Sequence, residues 1–440
     1  MERKSYNKAA QNAGFGGLPM TIAEKPPRIP SASETDPVKL GWMVGSPPPP
    51  DKIVRFADMS HYRFPQTRWS FSNFRQLIPT TNIARGDGLV CMLPRIERND
   101  IDSLTFFPNG AREAMTWAQS LEESYTDAII VLHRGTIVYE RYFGVMTPNT
   151  AHMAMSVTKS FFGLLGAMLV EEGRLDERAK VPEYVPELAC SAYRDATVRQ
   201  VLDMRIGVRY SEDYTDPYAE FWQHMRASGI FPQPDGYDGP KTTAEFLKSL
   251  KKEGEHGGAF LYKSVNTDVL GWIIRRVTGE TSGETLSRRI WQKLGVEHDG
   301  YMVVDIAGSE LAGGGLNITL RDMARFGEMM RLDGRFNGHD IVPKSVIDDI
   351  CINGSREAFA RGNEYPILAG SSYRNMWWLT NNEHGAYSAR GIHRQVIHID
   401  PKAEMTIARF ASHPIASDPN LDTTSQPSFH ALARHLMQTS

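Results

Sequence analysis

The tetrad Ser156-Val157-Thr158-Lys159 opens a stretch, Phe161-Phe162-Gly163-Leu164-Leu165-Gly166-Ala167-Met168-Leu169-Val170, that is apolar all round. A segment with no polar face predicts a helix buried on every side, so the rest of the chain has to wrap around it. The mouth of that helix carries a hydroxyl and an amine three residues apart, on one face. A serine there lies beside free backbone N–H groups and the positive end of the helix dipole. A lysine so close to a buried helix needs a reason, and acting as the base for a serine nucleophile is one.

Spacing alone proves little, since a chain of this length and composition holds roughly two S-x-x-K matches by chance. Two others occur here, Ser5-x-x-Lys8 and Ser249-x-x-Lys252. Ser5 stands in a polar, unpatterned N-terminus, and Ser249 in a charged amphipathic surface helix. Only Ser156 precedes a buried one.

With 440 residues, 41% of them hydrophobic, the chain can bury one large core or two domains. A net charge of −3 without a basic stripe argues against a nucleic-acid partner. Cys91, Cys190 and Cys351 are far apart and odd in number, with no metal-binding spacing among them. The N-terminus lacks the apolar core of a secretory leader, and no run of 18 apolar residues exists. The expectation is a cytoplasmic protein with no membrane partner.

Residues 1–50 are rich in Pro, Gly and Ser and read as an N-terminal arm. A helix is expected over 111–124, then a strand over 127–133. Arg134-Gly135 makes a tight turn into a second strand over 136–144. From about 160 to 365 the patterns are mostly helices and loops, with helices over 157–172, 197–204, 242–252, 266–278, 284–293, 319–333 and 343–351. Strand patterns return over 373–379, 386–392, 395–400 and 405–410, before a last helix over 428–437. Strands at both ends bracketing a helical insertion predict an α+β fold, an antiparallel β-sheet flanked by helices plus a mostly helical subdomain. The expected regions are 51–165 with 366–440 for the sheet and 166–365 for the helices. An active site is expected at their seam.

Three further stretches carry candidate chemistry. Tyr262-Lys263-Ser264-Val265-Asn266-Thr267 precedes an apolar helix, so Tyr262 reads either as a core tyrosine before a cap or as a proton relay. Arg390-Gly391-Ile392-His393 starts a strand whose edge could offer an N–H group to an oxyanion. The loop around Tyr214 is rich in aromatics and reads either as satellite packing or as a substrate lid.

Taken together, Ser156-x-x-Lys159, Tyr262-x-Ser264-Val265-Asn266-Thr267 and the C-terminal Gly391-Ile392-His393 resemble the class C β-lactamase-like serine hydrolases. The wording is most similar to the 6-aminohexanoate-dimer hydrolases among them. The resemblance covers roughly residues 100 to 415. It implies a β-lactamase/transpeptidase-like fold and an acyl-enzyme mechanism, with Ser156 as nucleophile, Lys159 as its base and Tyr262 as partner acid/base. It also implies an oxyanion hole from the backbone N–H groups of Ser156 and Ile392. Substrate contacts would come from Tyr214, Gly391, His393, Ser264 and Asn266. No metal or organic cofactor is implied. The partner is a small amide or ester substrate, and a homodimer is an open assembly.

The chain also departs from these patterns. Gly391-Ile392-His393 stands where a β-lactamase of this class carries Lys-Thr-Gly, and Ser264 replaces an asparagine. Phe221-Trp222-Gln223-His224-Met225 holds no acid where an oligomer hydrolase can carry one. A carboxylesterase, a D-amino-acid peptidase and a non-catalytic binding protein on the same scaffold remain alternative readings. Gln223, His224 and Arg394 are further candidates to shape the pocket.

Overall fold

A computed structural model describes residues 28–438 apart from Thr215 and 417–421. Ser5, Lys8 and most of the expected N-terminal arm lie outside the described residues. The elements named here belong to the unit that begins at Ser31.

The first half contributes β1 (Thr80–Ile83), β2 (Thr126–His133), β3 (Thr136–Tyr142) and β4 (His152–Met153) to the two larger sheets. Two more, β5 (Gly300–Val303) and β6 (Leu316–Ile318), lie within the helical stretch. The C-terminal strands are β7 (Ser372–Arg374), β8 (Trp377–Leu379), β9 (Tyr387–Gly391), β10 (Gln395–Asp400) and β11 (Met405–Ala411). The main sheet is antiparallel with the order β7-β8-β9-β10-β11-β2-β3, so the two ends of the chain meet where β11 pairs with β2.

Alternation along these strands sorts the core into two layers. On one face Ile129, Val131, Met405 and Ile407 pack with Trp117, Leu121, Phe429 and Leu432. Trp117 and Leu121 lie on α1 (Trp117–Glu123). On the other face Ala128, Ile130, Leu132 and Phe410 join the larger core, which holds α2 (Val157–Glu171). Full burial of each large apolar side chain contributes about 2 kcal/mol. Arg134 (φ 51) and Gly135 (φ 77) both adopt the left-handed backbone that a two-residue hairpin turn needs.

The all-apolar helix is buried as the sequence requires, from Val157 through Leu169. Phe161 stacks on Phe326 with ring centroids 3.7 Å apart. Its glycines are contact points. A Cβ on Gly163 would stand 2.0 Å from the Asn375 carbonyl oxygen, and one on Gly166 3.0 Å from Leu202.

Three expectations need correction. The single strand expected over 373–379 is a hairpin, β7 paired with β8, because the chain turns back through left-handed backbone at Asn375 (φ 46) and Met376 (φ 64). The helix expected over 111–124 begins only at Trp117, because Met115–Thr116 pair with Thr105–Phe106 as strand. Thr116 then caps the helix in a reciprocal box, its Oγ1 accepting from Gln119 N at 3.1 Å and its own N–H donating to Gln119 Oε1 at 2.8 Å. The stretch read as helices and loops also contains β5 and β6, which build a second antiparallel sheet, β1-β5-β6-β4. Its strands are two to four residues long and come from distant parts of the chain, too short for a period-2 pattern to register. No helix among the described residues is long and apolar enough to cross a membrane.

Candidate active site

The short second sheet delivers Ser156 to the mouth of α2. β4 ends at Met153, Ala154 N donates to Leu316 O on β6 at 2.8 Å, and Leu316 N donates back to Thr158 Oγ1 at 3.2 Å. Met155 turns the corner with φ 49, a left-handed conformation that is costly for a residue with a side chain. Ser156 is then the N-cap of α2, and no acceptor among the described residues takes its backbone N–H.

Lys159 is 1% exposed. Its Nζ lies 2.7 Å from Ser156 Oγ and 2.5 Å from the Gly313 carbonyl oxygen. Burial lowers its pKa to about 8, while the charges of Glu212 and Asp268 oppose that shift. The Tyr262 ring centroid is 5.2 Å from the same Nζ. Tyr262 directly precedes the turn into α4, where α3 and α4 denote Glu220–Ala227 and Val265–Thr278. Burial drives the Tyr262 hydroxyl pKa well up, Glu212 adds to it, and a side-chain hydrogen bond with Ser156 pulls the other way.

The third wall is the end of β9. Gly391 takes extended backbone (φ −134), so its lack of a side chain serves close approach instead of a special φ. A Cβ there would stand 2.9 Å from Ala154 O and 3.0 Å from Ser156 N. The chain then folds into a short turn through His393 (φ 59) and Arg394 (φ 72), with Ile392 facing Ser156.

Two cavities meet at Ser156 and Ile392. One is lined by Tyr262, Tyr365, Trp378, Gly391 and Arg390. The other is mostly apolar, with Tyr62, Met155, Tyr214, Phe221 and Ser264 in its wall. Arg390 enters the first with its side chain 14% exposed, and its ion-pair partner Asp422 is no closer than 3.7 Å. Asp422 is shared with Arg394 at 3.9 Å, and burial lowers the nearby Arg409 pKa to about 10.

The structure thus brings Ser156, Lys159, Tyr262, Ile392, Gly391, Tyr214 and Ser264 together. Asn266 and His393, expected at the substrate, stand elsewhere. Asn266 is fully buried in α4, its Oδ1 accepting from Tyr193 OH at 2.8 Å. His393 turns inward against Phe71, with its Nδ1 2.7 Å from His413 O, and burial lowers its pKa to about 4. The left-handed backbone at His393 swings the side chain away from the cleft.

Three groups escaped the sequence reading. Glu212 accepts from the Ser264 backbone N–H and from Tyr214 OH at 3.3 Å, tying the aromatic loop to the site. Asp268, one turn into α4, accepts from Gly313 N at 2.9 Å and meets His224 Nε2 at 3.0 Å. His224 in turn lies 2.8 Å from Tyr210 OH. Arg390 is the third. Only its place beside Gly391 marked it in sequence.

A buried lysine on a helix-cap serine, beside a tyrosine and a strand edge, is the candidate active site of this chain. The chain belongs to the beta-lactamase family, whose model matches residues 118–425, and it is a hydrolase of that family. It is 39% identical over 350 residues to the 6-aminohexanoate-dimer hydrolase of Paenarthrobacter ureafaciens, covering 80% of this chain and 86% of that one. A solved structure from Bacillus anthracis, provisionally named a 6-aminohexanoate-dimer hydrolase, is 31% identical with a TM-score of 0.80. The match covers 89% of this chain and 99% of that one. The hydrolase EstCE1, at 13% identity, TM-score 0.57 and coverage of 72% and 95%, shares the fold.

Proposed function

We propose that the protein hydrolyses small linear amides through an acyl-enzyme on Ser156. The carrying observation is the buried Lys159 amine 2.7 Å from Ser156 Oγ. With its pKa lowered to about 8, a useful fraction is neutral near pH 7 and takes the serine proton as Oγ attacks the carbonyl. The developing oxyanion sits between the Ser156 and Ile392 N–H groups, each such donor contributing roughly 3 kcal/mol. Tyr262, kept protonated by its raised pKa, gives a proton to the departing amine and is reprotonated through Lys159. Water then attacks the ester, with the same groups passing the proton back.

The two cavities suggest which amides fit. The apolar one suits an aliphatic acyl chain, and the one holding Tyr262 and Arg390 suits a leaving amine that carries a carboxylate. The likeness to a 6-aminohexanoate-dimer hydrolase at 39% identity supports that class. Tyr214, tethered to Glu212, closes the acyl side of the cleft.

The test is intact-protein mass after incubation with a fluorophosphonate, with peptide mapping and turnover of short ω-aminoacyl amides read alongside. One adduct on Ser156, with turnover lost in step, is the expected result. Ser156→Ala retaining more than about a tenth of wild-type turnover removes the assignment, since loss of a nucleophile costs far more.

A further inference from the structure

Away from the Ser156 cleft, the turn between β8 and β9 meets the C-terminal helix α5 (Ser425–Gln438). Glu383 and His384 on the turn and His430 on the helix place one donor atom each within 4.8 Å of the others. His430 Nε2 is 3.6 Å from Glu383 Oε1, and the two imidazole centroids are 4.9 Å apart. We propose that Glu383, His384 and His430 bind a divalent transition-metal ion, zinc by preference, that clasps the β8–β9 turn to α5.

Four observations carry this. The donor set is two imidazoles and a carboxylate, which suits zinc and disfavours magnesium or calcium, whose sites are built of oxygen. His384 is already oriented for it. Its Nδ1 lies 2.7 Å from Oδ2 of Asp400, which is 1% exposed and whose Oδ1 accepts from Ala403 N at 2.9 Å. A carboxylate only accepts, so that bond assigns the proton to Nδ1 and leaves the Nε2 lone pair for a metal, the arrangement in which a second-layer carboxylate holds a ligating histidine.

The turn is also braced without the metal. Asn382 Oδ1 accepts from both His384 N and Ala386 N, each at 3.1 Å. Finally, the remaining motion is small and falls on groups that reach solvent. Tetrahedral zinc at its usual bond lengths wants donors about 3.4 Å apart. Glu383 and His430, with side chains 67% and 35% exposed, can close the difference by side-chain rotation. Water takes the fourth position.

None of the three residues lines the cavities around Ser156, so the metal has no part in the hydrolysis proposed there. It acts on stability. The first turns of α5 wall the Arg390 cavity through Ser425, Gln426 and Phe429, and His430 is the next residue. A clasp at His430 therefore pins the helix that forms that wall.

The experiment uses the tag-free full chain, stripped with a chelator and titrated with zinc chloride in a calorimeter, with thermal unfolding followed in parallel. The expected result is one equivalent bound with micromolar affinity and a rise in Tm on zinc addition. His430→Gln, at a half-buried position, and Glu383→Gln, at an exposed one, should each weaken binding by at least about tenfold and abolish the zinc-dependent rise in Tm. Cobalt in place of zinc should give the visible bands of a four-coordinate ion, lost in His430→Gln. Absence of binding at tens of micromolar zinc overturns the proposal. So does equal affinity in wild type and both variants, which would mean that the three residues form only a surface ion pair and zinc binds elsewhere.

Discussion

Gly391 passes so close to Ser156 that a methyl group on its Cα would stand 3.0 Å from the Ser156 backbone nitrogen. One strand end and one helix cap are thereby held in close contact, as the proposed oxyanion hole requires. Since φ at Gly391 is ordinary, alanine there meets no backbone strain, but its methyl would stand against the Ala154 carbonyl, the Ser156 amide and, at 3.1 Å, Gln395 Cβ. Gly391→Ala should leave the fold intact and lower kcat by about 100-fold, the effect of losing one oxyanion donor. Turnover of an activated ester, read beside far-UV circular dichroism, checks this. A folded variant with near wild-type kcat would mean that Ile392 N–H takes no part.

The base is legible in a pH profile. Lys159 must be neutral to accept the serine proton, and its pKa is lowered to about 8. So kcat/KM should rise with pH, tenfold per unit well below 8, and level off above it, since this parameter reports the free enzyme. Glu212 favours the charged ammonium and so raises the Lys159 pKa. Removing that charge in Glu212→Gln should move the limb to lower pH, while the amide oxygen keeps the bond from Ser264 N. A limb that stays in place or moves up in Glu212→Gln would assign the titration to another group.

These two predictions rest on residues of different legibility. Ser156 and Lys159 were readable because a contiguous apolar helix is a strong local signal, and the hairpin through Arg134-Gly135 because its turn chemistry is local too. The second sheet was not, since β1, β4, β5 and β6 carry too few residues to show alternation and find partners as much as 223 positions away, from Thr80 to Val303. Glu212 and Asp268 were missed for a related reason. An acid in a loop or near a helix start reads as solvated surface until its partners, Ser264 N–H and Gly313 N–H, are brought to it by tertiary packing. His393 was misplaced because sequence does not show a left-handed backbone at a non-glycine residue.

In the proposed reaction Arg390 sets the charge preference of the cavity that takes the leaving amine. Its nearest carboxylate, Asp422, also faces Arg394 and Arg409, so neutralising Arg390 does not strand that acid. Arg390→Met should raise KM by roughly 10- to 100-fold for amides whose amine half ends in a carboxylate, the value of one charge-assisted hydrogen bond. A neutral p-nitrophenyl ester should be turned over almost as before. Equal losses on both substrates would show that Arg390 serves packing alone.

Asp268 separates charge from geometry beneath the base. Its Oδ1 accepts from Gly313 N at 2.9 Å, and the Gly313 carbonyl faces Lys159 Nζ at 2.5 Å. Its Oδ2 meets His224 Nε2 at 3.0 Å with both side chains essentially buried. Asp268→Asn keeps an oxygen for Gly313 N but removes the charge that raises the Lys159 pKa. The pH limb should therefore move down, as in Glu212→Gln, with kcat on the plateau little changed. Stability should fall by only about 1 kcal/mol, because the close approach of Oδ2 to His224 Nε2 is not a hydrogen bond and the amide removes only the charge. Asp268→Ala also leaves the Gly313 N–H without its acceptor and so loosens the peptide whose carbonyl holds Lys159, so plateau kcat should fall as well. Urea unfolding and the pH–rate profile of both variants decide the matter. If Asp268→Asn already loses plateau kcat as far as Asp268→Ala, the charge itself holds Gly313 in place.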